Sequence, residues 1–274
     1  MPRSLRILLT AWSFFLFFGG SPVIGIVLLP ILRLFARDAA DHRRRCTRLI
    51  GRAFRVFTRW CTFARHIDAP REIPALPELA PGQPYVLIAN HPSLIDIFFL
   101  LGSYPGLTCV TKGSWYRSIV LGPLLRQTNY LAGPGGTEES DDMLGAMIGH
   151  LESGHPLLVF PEGSRSLPDR LRRFRRGAVE AAVRARVPIV ALFLSVDRPY
   201  LMKGVPFWKV PRGTARYSLE RIDVIDTSAI PIEDAKKLNA DLQARYQERF
   251  TRMLAERVEG RVLPPPADET RAAA

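Results

Sequence analysis

A histidine followed five residues later by an aspartate, at the end of an apolar run, is the part of this 274-residue sequence best equipped to move a proton. The stretch reads Val86-Leu-Ile-Ala-Asn-His-Pro-Ser-Leu-Ile-Asp96. On one unbroken helix the two side chains would stand roughly 140° apart, at about 100° per residue. If His91 lies in the turn ahead of the helix, the carboxylate can fold back onto the imidazole. A carboxylate on one ring nitrogen fixes the tautomer and raises the basicity of the other, which then takes a proton from a hydroxyl. Pro92 suits the first turn of such a helix, where a missing N–H costs nothing. No serine or cysteine stands in a recognisable nucleophile elbow, so the pair would activate a substrate hydroxyl directly. The same spacing also arises by chance, with the histidine as a helix cap, and the surrounding elements must decide.

Those elements alternate. Tyr85–Ala89, Leu107–Val110, Asn129–Ala132, Leu157–Phe160 and Ile189–Leu194 read as strands, with helical patterns such as Asp141–Glu152 and Arg176–Arg186 between them. Alternation of this kind predicts an α/β domain with a largely parallel central sheet flanked by helices. In such sheets ligands bind beyond the carboxyl ends of the strands. Asn90 and His91 follow the first strand, Lys112 the second, and Pro161-Glu-Gly-Ser-Arg-Ser166 the run Leu157–Phe160. In a parallel sheet a base, a lysine and an arginine-bearing loop emerge at one edge, a site for an anionic substrate with a hydroxyl. The catalytic domain is expected over residues 66–260, entered by a proline-rich loop from Pro70 to Pro84. A final helical region from Ile230 to Val258 should pack on its edge, and residues 261–274 read as a disordered tail.

Ahead of this domain, residues 1–65 form a different unit. No residue between Arg6 and Arg33 is charged, and the apolar stretch from about 7 to 32 exceeds the roughly 20 residues that span a bilayer. It is too long for a signal peptide and is followed by basic residues. Gly19-Gly20-Ser21-Pro22 interrupts it, so a single broken span and a shallow re-entrant hairpin are both open. Arg33, Arg37, Arg43, Arg44, Arg45, Arg48, Arg52 and Arg55 follow, and this excess predicts the cytoplasmic membrane with the catalytic domain on the cytoplasmic side. Residues 38–65 read as a basic amphipathic helix suited to the membrane interface.

The formal net charge of +12 calls for an acidic partner. Zinc-finger spacing and RNA-binding sheet signatures are absent, which favours membrane phospholipid over nucleic acid. Cys46, Cys61 and Cys109 are odd in number and lack C-x-x-C spacing, so neither a disulfide framework nor a metal site is expected. His66, His150 and His155 read as surface or loop residues. Arg170, Arg172, Arg173, Arg175 and Arg176 form either a solvated helix start or a landing patch for phosphates or an acidic carrier, with Phe174 placed to dip into the interface.

Asn90-His91-Pro-Ser-Leu-Ile-Asp96 resembles the H-x4-D signature of the glycerolipid acyltransferases, the lysophosphatidate (1-acylglycerol-3-phosphate) acyltransferases among them. Phe160-Pro-Glu-Gly-Ser-Arg-Ser166 resembles that family's second signature, with Ser164 where threonine is common. Lys112 and Gly122-Pro-Leu-Leu125 fall in the region of its middle block, and Val187-Pro-Ile-Val190 is similar to its late apolar block. The resemblance covers residues 84–195 with the order of the blocks intact. It implies a membrane-bound enzyme of phospholipid biosynthesis that moves a fatty acyl group from acyl-CoA or acyl carrier protein to a lysolipid hydroxyl. His91 would be the general base and Asp96 its orienting partner. Glu162, Gly163, Ser164 and Arg165 would bind the acceptor, with Lys112 as a second point charge. No cofactor or metal is implied, because the thiolate leaves without one. The sequence departs from the family after the middle strand, where Asn129-Tyr-Leu-Ala132 runs into Gly133-Pro-Gly-Gly136 and the arginine that often holds the acceptor's phosphate is missing. An acceptor with another headgroup, a specialised lipid or pigment, or thioester hydrolysis are the alternatives.

Overall fold

The computed structural model describes residues 2–70, 72–76, 78–133, 140–198, 200–211 and 213–258. The expected tail at 261–274 and most of the Gly133–Gly136 turn lie outside the described residues. Seven strands form one sheet: β1 (Ile67–Asp68), β2 (Val86–Ala89), β3 (Thr108–Lys112), β4 (Leu131–Gly133), β5 (Leu157–Val159), β6 (Ile189–Val196) and β7 (Ala215–Ile225). Their order is β1-β7-β6-β2-β5-β3-β4, and every neighbouring pair is parallel except β6 with β7. The largely parallel α/β sheet read from the sequence is therefore present.

β2 and β6 show why the central strands are uninterrupted apolar runs. Leu87, Ala89, Val190, Leu192 and Leu194 face one core, and Val86, Ile88, Ile189, Ala191 and Phe193 face the other. Both faces of the sheet are covered, so a polar alternation would bury unpaired groups. The described helices are α1 (Arg3–Val23), α2 (Leu29–Leu32), α3 (Ala39–Phe63), α4 (Ile95–Ser103), α5 (Gly113–Arg117), α6 (Gly122–Leu125), α7 (Ser140–Glu152), α8 (Gly177–Ala185) and α9 (Ala235–Val258). Residues of α3 and α4 fill the first core, and those of α8 and α9 the second.

The sequence reading differs from this fold in several places. β7 was not expected: its exposed Arg216, Glu220 and Arg221 break the apolar signal that marks the central strands. α9 lies over a sheet face rather than at the domain edge. Its Tyr246 is fully buried, with the hydroxyl 2.7 Å from the Ile88 carbonyl and 2.9 Å from that of Leu192. Phe174 is buried against Tyr246 at 5.1 Å instead of reaching an interface. His66 and His150 are buried rather than superficial; His66 Nε2 meets Ser13 Oγ at 3.2 Å and His150 Nε2 meets Thr108 Oγ1 at 2.7 Å.

At the N-terminus, Arg3–Phe35 is one continuous run of helical turns, long and apolar enough to cross a membrane by length and composition. Gly19-Gly20-Ser21-Pro22 does not turn the chain back. Pro22 is accommodated within α1, and a widened turn at Ile24–Leu28 follows it, directly ahead of Pro30 in α2. The hairpin is therefore excluded for this segment. The buried side chains of α1 are its polar ones, Arg6, Thr10, Ser13 and Ser21, while Leu8, Trp12 and Phe15 are exposed. Attachments run along its length. Arg6 donates to the Gly213 carbonyl, Ser13 accepts from Trp60 Nε1, Phe17 packs on Phe57 and Phe98, and Gln127 donates to the Gly25 carbonyl. At Gly25 a β-carbon would stand 2.6 Å from the Leu124 nitrogen, so only glycine permits this contact with α6.

Candidate active site

The carboxyl ends of β2, β5 and β3 lie side by side, since β5 sits between the other two. Past the end of β2, Asn90 continues the ladder with its side chain: Nδ2 donates to the Leu194 carbonyl at 2.8 Å, and Oδ1 accepts from Leu194 N–H at 2.7 Å. This holds the next residue, His91, at the sheet edge and ahead of α4. Pro92 consequently precedes the helix by three positions instead of sitting in its first turn, because Ser93 and Leu94 make the entry.

α4 begins with a reciprocal cap. Ser93 Oγ accepts from Ile95 N–H at 3.3 Å, and Asp96 Oδ2 accepts from Ser93 N–H at 2.6 Å. The same oxygen lies 2.9 Å from His91 Nδ1. Asp96 is fully buried, and burial pushes its carboxyl up from the ordinary range, opposed first by the His91 hydrogen bond and further by the Arg165 charge. The His91 side chain keeps 15% exposure, so the ring is anchored at Nδ1 and still reaches the cleft. Phe160 stacks on it at 4.0 Å with 14° between the planes.

The loop after β5 is built around this histidine. Pro161 and Gly163 occupy the favoured positions of a turn closed by Gly163 N–H to the Phe160 carbonyl, and Gly163 has φ +65, which glycine alone adopts freely. Glu162 is buried, and its carboxylate is taken up by the protein. Oε1 accepts from His91 N–H at 3.2 Å and Ser166 Oγ at 2.5 Å, and Oε2 accepts from Arg172 N–H at 2.9 Å. Ser166 N–H donates to the His91 carbonyl at 2.7 Å. Both ends of the His91 peptide unit are thus tied to the loop.

Of the residues expected at the site, His91 and Asp96 are in direct contact, and Glu162 touches the His91 main chain. Gly163 is exposed and Ser164 and Arg165 half-buried in the same loop. Arg165 Nη1 donates to the Leu201 carbonyl at 2.5 Å, and burial lowers its pKa while Asp96 raises it. Lys112 is exposed at the end of β3, two strands from β2. Sequence reading missed the positioning parts played by Asn90, Phe160 and Ser166, and the place of Arg175. Arg175 Nε would lie 3.0 Å from a β-carbon on Gly163, so its guanidinium covers the loop. The nearest sequence signal was that Arg175 falls in a basic cluster close behind the loop.

A buried carboxylate orienting a partly exposed imidazole, beside basic groups at the carboxyl edge of an α/β sheet, is an arrangement chemically able to accept a proton from a hydroxyl. Residues 69–195 match the family model described as Acyltransferase. A 1-acyl-sn-glycerol-3-phosphate acyltransferase of Limnanthes douglasii is 30% identical over 167 residues, 58% of each chain. The human 1-acyl-sn-glycerol-3-phosphate acyltransferase alpha is 31% identical over 134 residues, 45% of this chain and 44% of its own. The chain thus spans roughly half the length of these relatives. The crystal structure of the 1-acyl-sn-glycerophosphate acyltransferase PlsC from Thermotoga maritima shares the fold, with TM-score 0.70 and 19% identity over 93% of this chain and 98% of that one. Over residues 69–195, a little under half of the chain, the sequence is thus similar to the acyltransferases.

Proposed function

We propose that this protein transfers a fatty acyl group from a thioester, acyl-CoA or acyl carrier protein, to the free hydroxyl of a lysophospholipid such as 1-acylglycerol-3-phosphate. The observation that carries this reading is the 2.9 Å contact between His91 Nδ1 and buried Asp96, with His91 Nε2 left for substrate. Nε2 takes the hydroxyl proton as the oxygen attacks the thioester carbonyl. The tetrahedral oxyanion then collapses, the C–S bond breaks, and the thiolate leaves with the proton returned from His91. Thiolate is a good enough leaving group that the step needs neither metal nor organic cofactor. Asp96 orients the imidazole and stabilises its charged form. Glu162 is assigned a positioning part in place of direct acceptor binding, since its oxygens already hold His91 and Arg172.

Arg165 and Arg175 border the loop and supply charge for the acceptor's phosphate, with Lys112 further along the edge. Arg175 is suited to replace the arginine missing after β4. Phosphate-bearing acceptors therefore stay the favoured reading, and an acceptor with another headgroup is the second one. The helix Arg3–Phe35, with polar residues toward the domain and Leu8, Phe15 and Leu34 outward, supports attachment along one leaflet, and the basic segment after it supports the cytoplasmic face. Purified protein incubated with labelled donor and a panel of lysolipids tests the reading. Labelled diacyl product with lysophosphatidate supports it. Product only with another lysolipid selects the second reading, and free fatty acid formed equally without any lysolipid contradicts both.

A further inference from the structure

A second group of cations lies at the same sheet edge as the His91 loop but in another cleft, with Arg198 between the two. Because β7 runs antiparallel to β6, its beginning lies at the same sheet edge as the end of β6. There a cleft of about 440 Å³ opens at the β1–β7 border, three strands beyond β2, lined by Arg65, Arg198, Arg216, Asp68, Gly213 and Thr214. Arg198 lies so closely over Gly213 that a side chain at that position would collide with its guanidinium. From the other side, buried Arg6 donates to the Gly213 carbonyl at 2.5 Å, while its Nε has no partner among the described residues. Arg6 is near enough to Arg65 and Arg198 for the charges to repel.

The carboxylates do not balance this cluster. Asp197 receives Arg198 Nε at 3.3 Å and the Arg216 main-chain N–H at 2.8 Å, and Asp68 is exposed at the rim. Among the described residues, three guanidiniums line the cleft and that of Arg6 lies behind Gly213, against the carboxylates of Asp68 and Asp197, an arrangement relieved by a bound anion with several acceptor oxygens. Apolar surface adjoins it: Phe63, two residues before Arg65, is 80% exposed, and Leu5 and Leu8 flank the Arg6 end of α1.

We propose that this cleft is a phosphate-binding site separate from the acyl-transfer site, and that its occupant is the headgroup of an anionic phospholipid. The headgroup would sit among Arg65, Arg198 and Arg216, beside the start of the membrane-facing helix, and fasten that helix end to the sheet. The site does not depend on the acyl-transfer reading and can be tested without turnover.

Full-length protein in a non-ionic detergent is titrated calorimetrically with inorganic phosphate and, separately, with short-chain phosphatidylglycerol. Arg65→Gln/Arg216→Gln is compared with Arg48→Gln/Arg52→Gln, which removes the same charge from exposed positions of α3. The expected result is saturable lipid binding that weakens at least about tenfold in the first pair, at about fivefold per arginine, and stays unchanged in the second. Binding at the His91 loop is present in both and cancels. Asp68→Asn should tighten binding severalfold, a gain that no folding defect produces. Lipid binding without phosphate binding identifies a lipid-borne headgroup, and equal affinity for both identifies any phosphate as the ligand. No saturable binding, equal losses in the two pairs, or no gain with Asp68→Asn would overturn the site.

Discussion

At the scale of single residues, Asp96 Oδ2 does two jobs: it closes the cap of α4 through Ser93 N–H and holds His91 Nδ1. An asparagine there keeps an oxygen for one donor but cannot stabilise an imidazolium. Asp96→Asn is therefore expected to lower kcat by about 10²–10⁴-fold with KM nearly unchanged, as steady-state kinetics would show. Glu162→Ala leaves Arg172 N–H unpaired and His91 N–H with Ser166 Oγ alone, and a buried donor left unpaired costs about 1–3 kcal/mol. Its melting temperature should fall and its kcat with it. Arg175→Gln should raise KM for phosphate-bearing acceptors and leave KM for monoacylglycerol alone, with Arg175→Lys restoring part of the loss. The His–Asp pair was legible because its partners are neighbours in sequence. The work of Glu162 was not, since it holds a backbone N–H 71 positions away and no spacing encodes that.

At the scale of elements, the central strands were readable from apolar runs buried on both faces, as in Val86–Ala89. β7 was not, because it closes one side of the sheet with polar and charged residues interleaved. The contact of α7 with β3 carries a pH dependence. Thr108 donates its single hydroxyl proton to the Pro156 carbonyl, so His150 Nε2–H is the donor in their 2.7 Å bond, and burial pushes the imidazole down from 6.5 to about 4. A folded-state pKa below the unfolded one means the unfolded chain binds the proton first. Stability is then full above 6.5 and is lost as pH falls toward 4. At 1.36 kcal/mol per pKa unit the loss is about 3 kcal/mol. Thermal melts across this range should show it, and His150→Gln, whose amide can still donate to Thr108, should flatten that limb of the profile. Gly25→Ala tests the α1–α6 approach: a methyl cannot occupy the 2.6 Å gap to Leu124, so a loss of about 1–3 kcal/mol is expected.

At the scale of the whole molecule, length and hydropathy marked residues 7–32 as membrane-seeking but not how the helix Arg3–Phe35 lies. Hydropathy averages over faces, and the decisive feature is that the face toward the domain carries the polar residues, fixed by Arg6 to Gly213 and Ser13 to Trp60, beside packed Phe14 and Phe17. A helix fastened along its length to the domain runs beside it. Cysteines introduced at Ser4 and Ala36 should therefore both react with an impermeant thiol reagent from the same side of sealed vesicles, the three native cysteines being buried. Labelling from opposite sides would establish a span instead. The net charge of +12 adds that binding to anionic vesicles should weaken as salt shortens the screening length.

The proposed mechanism turns on His91 taking the proton from the acceptor hydroxyl. The most direct measurement is the rate of thiol release from acyl-CoA or acyl carrier protein, with and without lysophosphatidate, for wild type beside His91→Ala. Wild type should show acceptor-dependent release matched by diacyl product, abolished in the variant while the variant still melts cooperatively. Equal acceptor-dependent release by His91→Ala would contradict that mechanism.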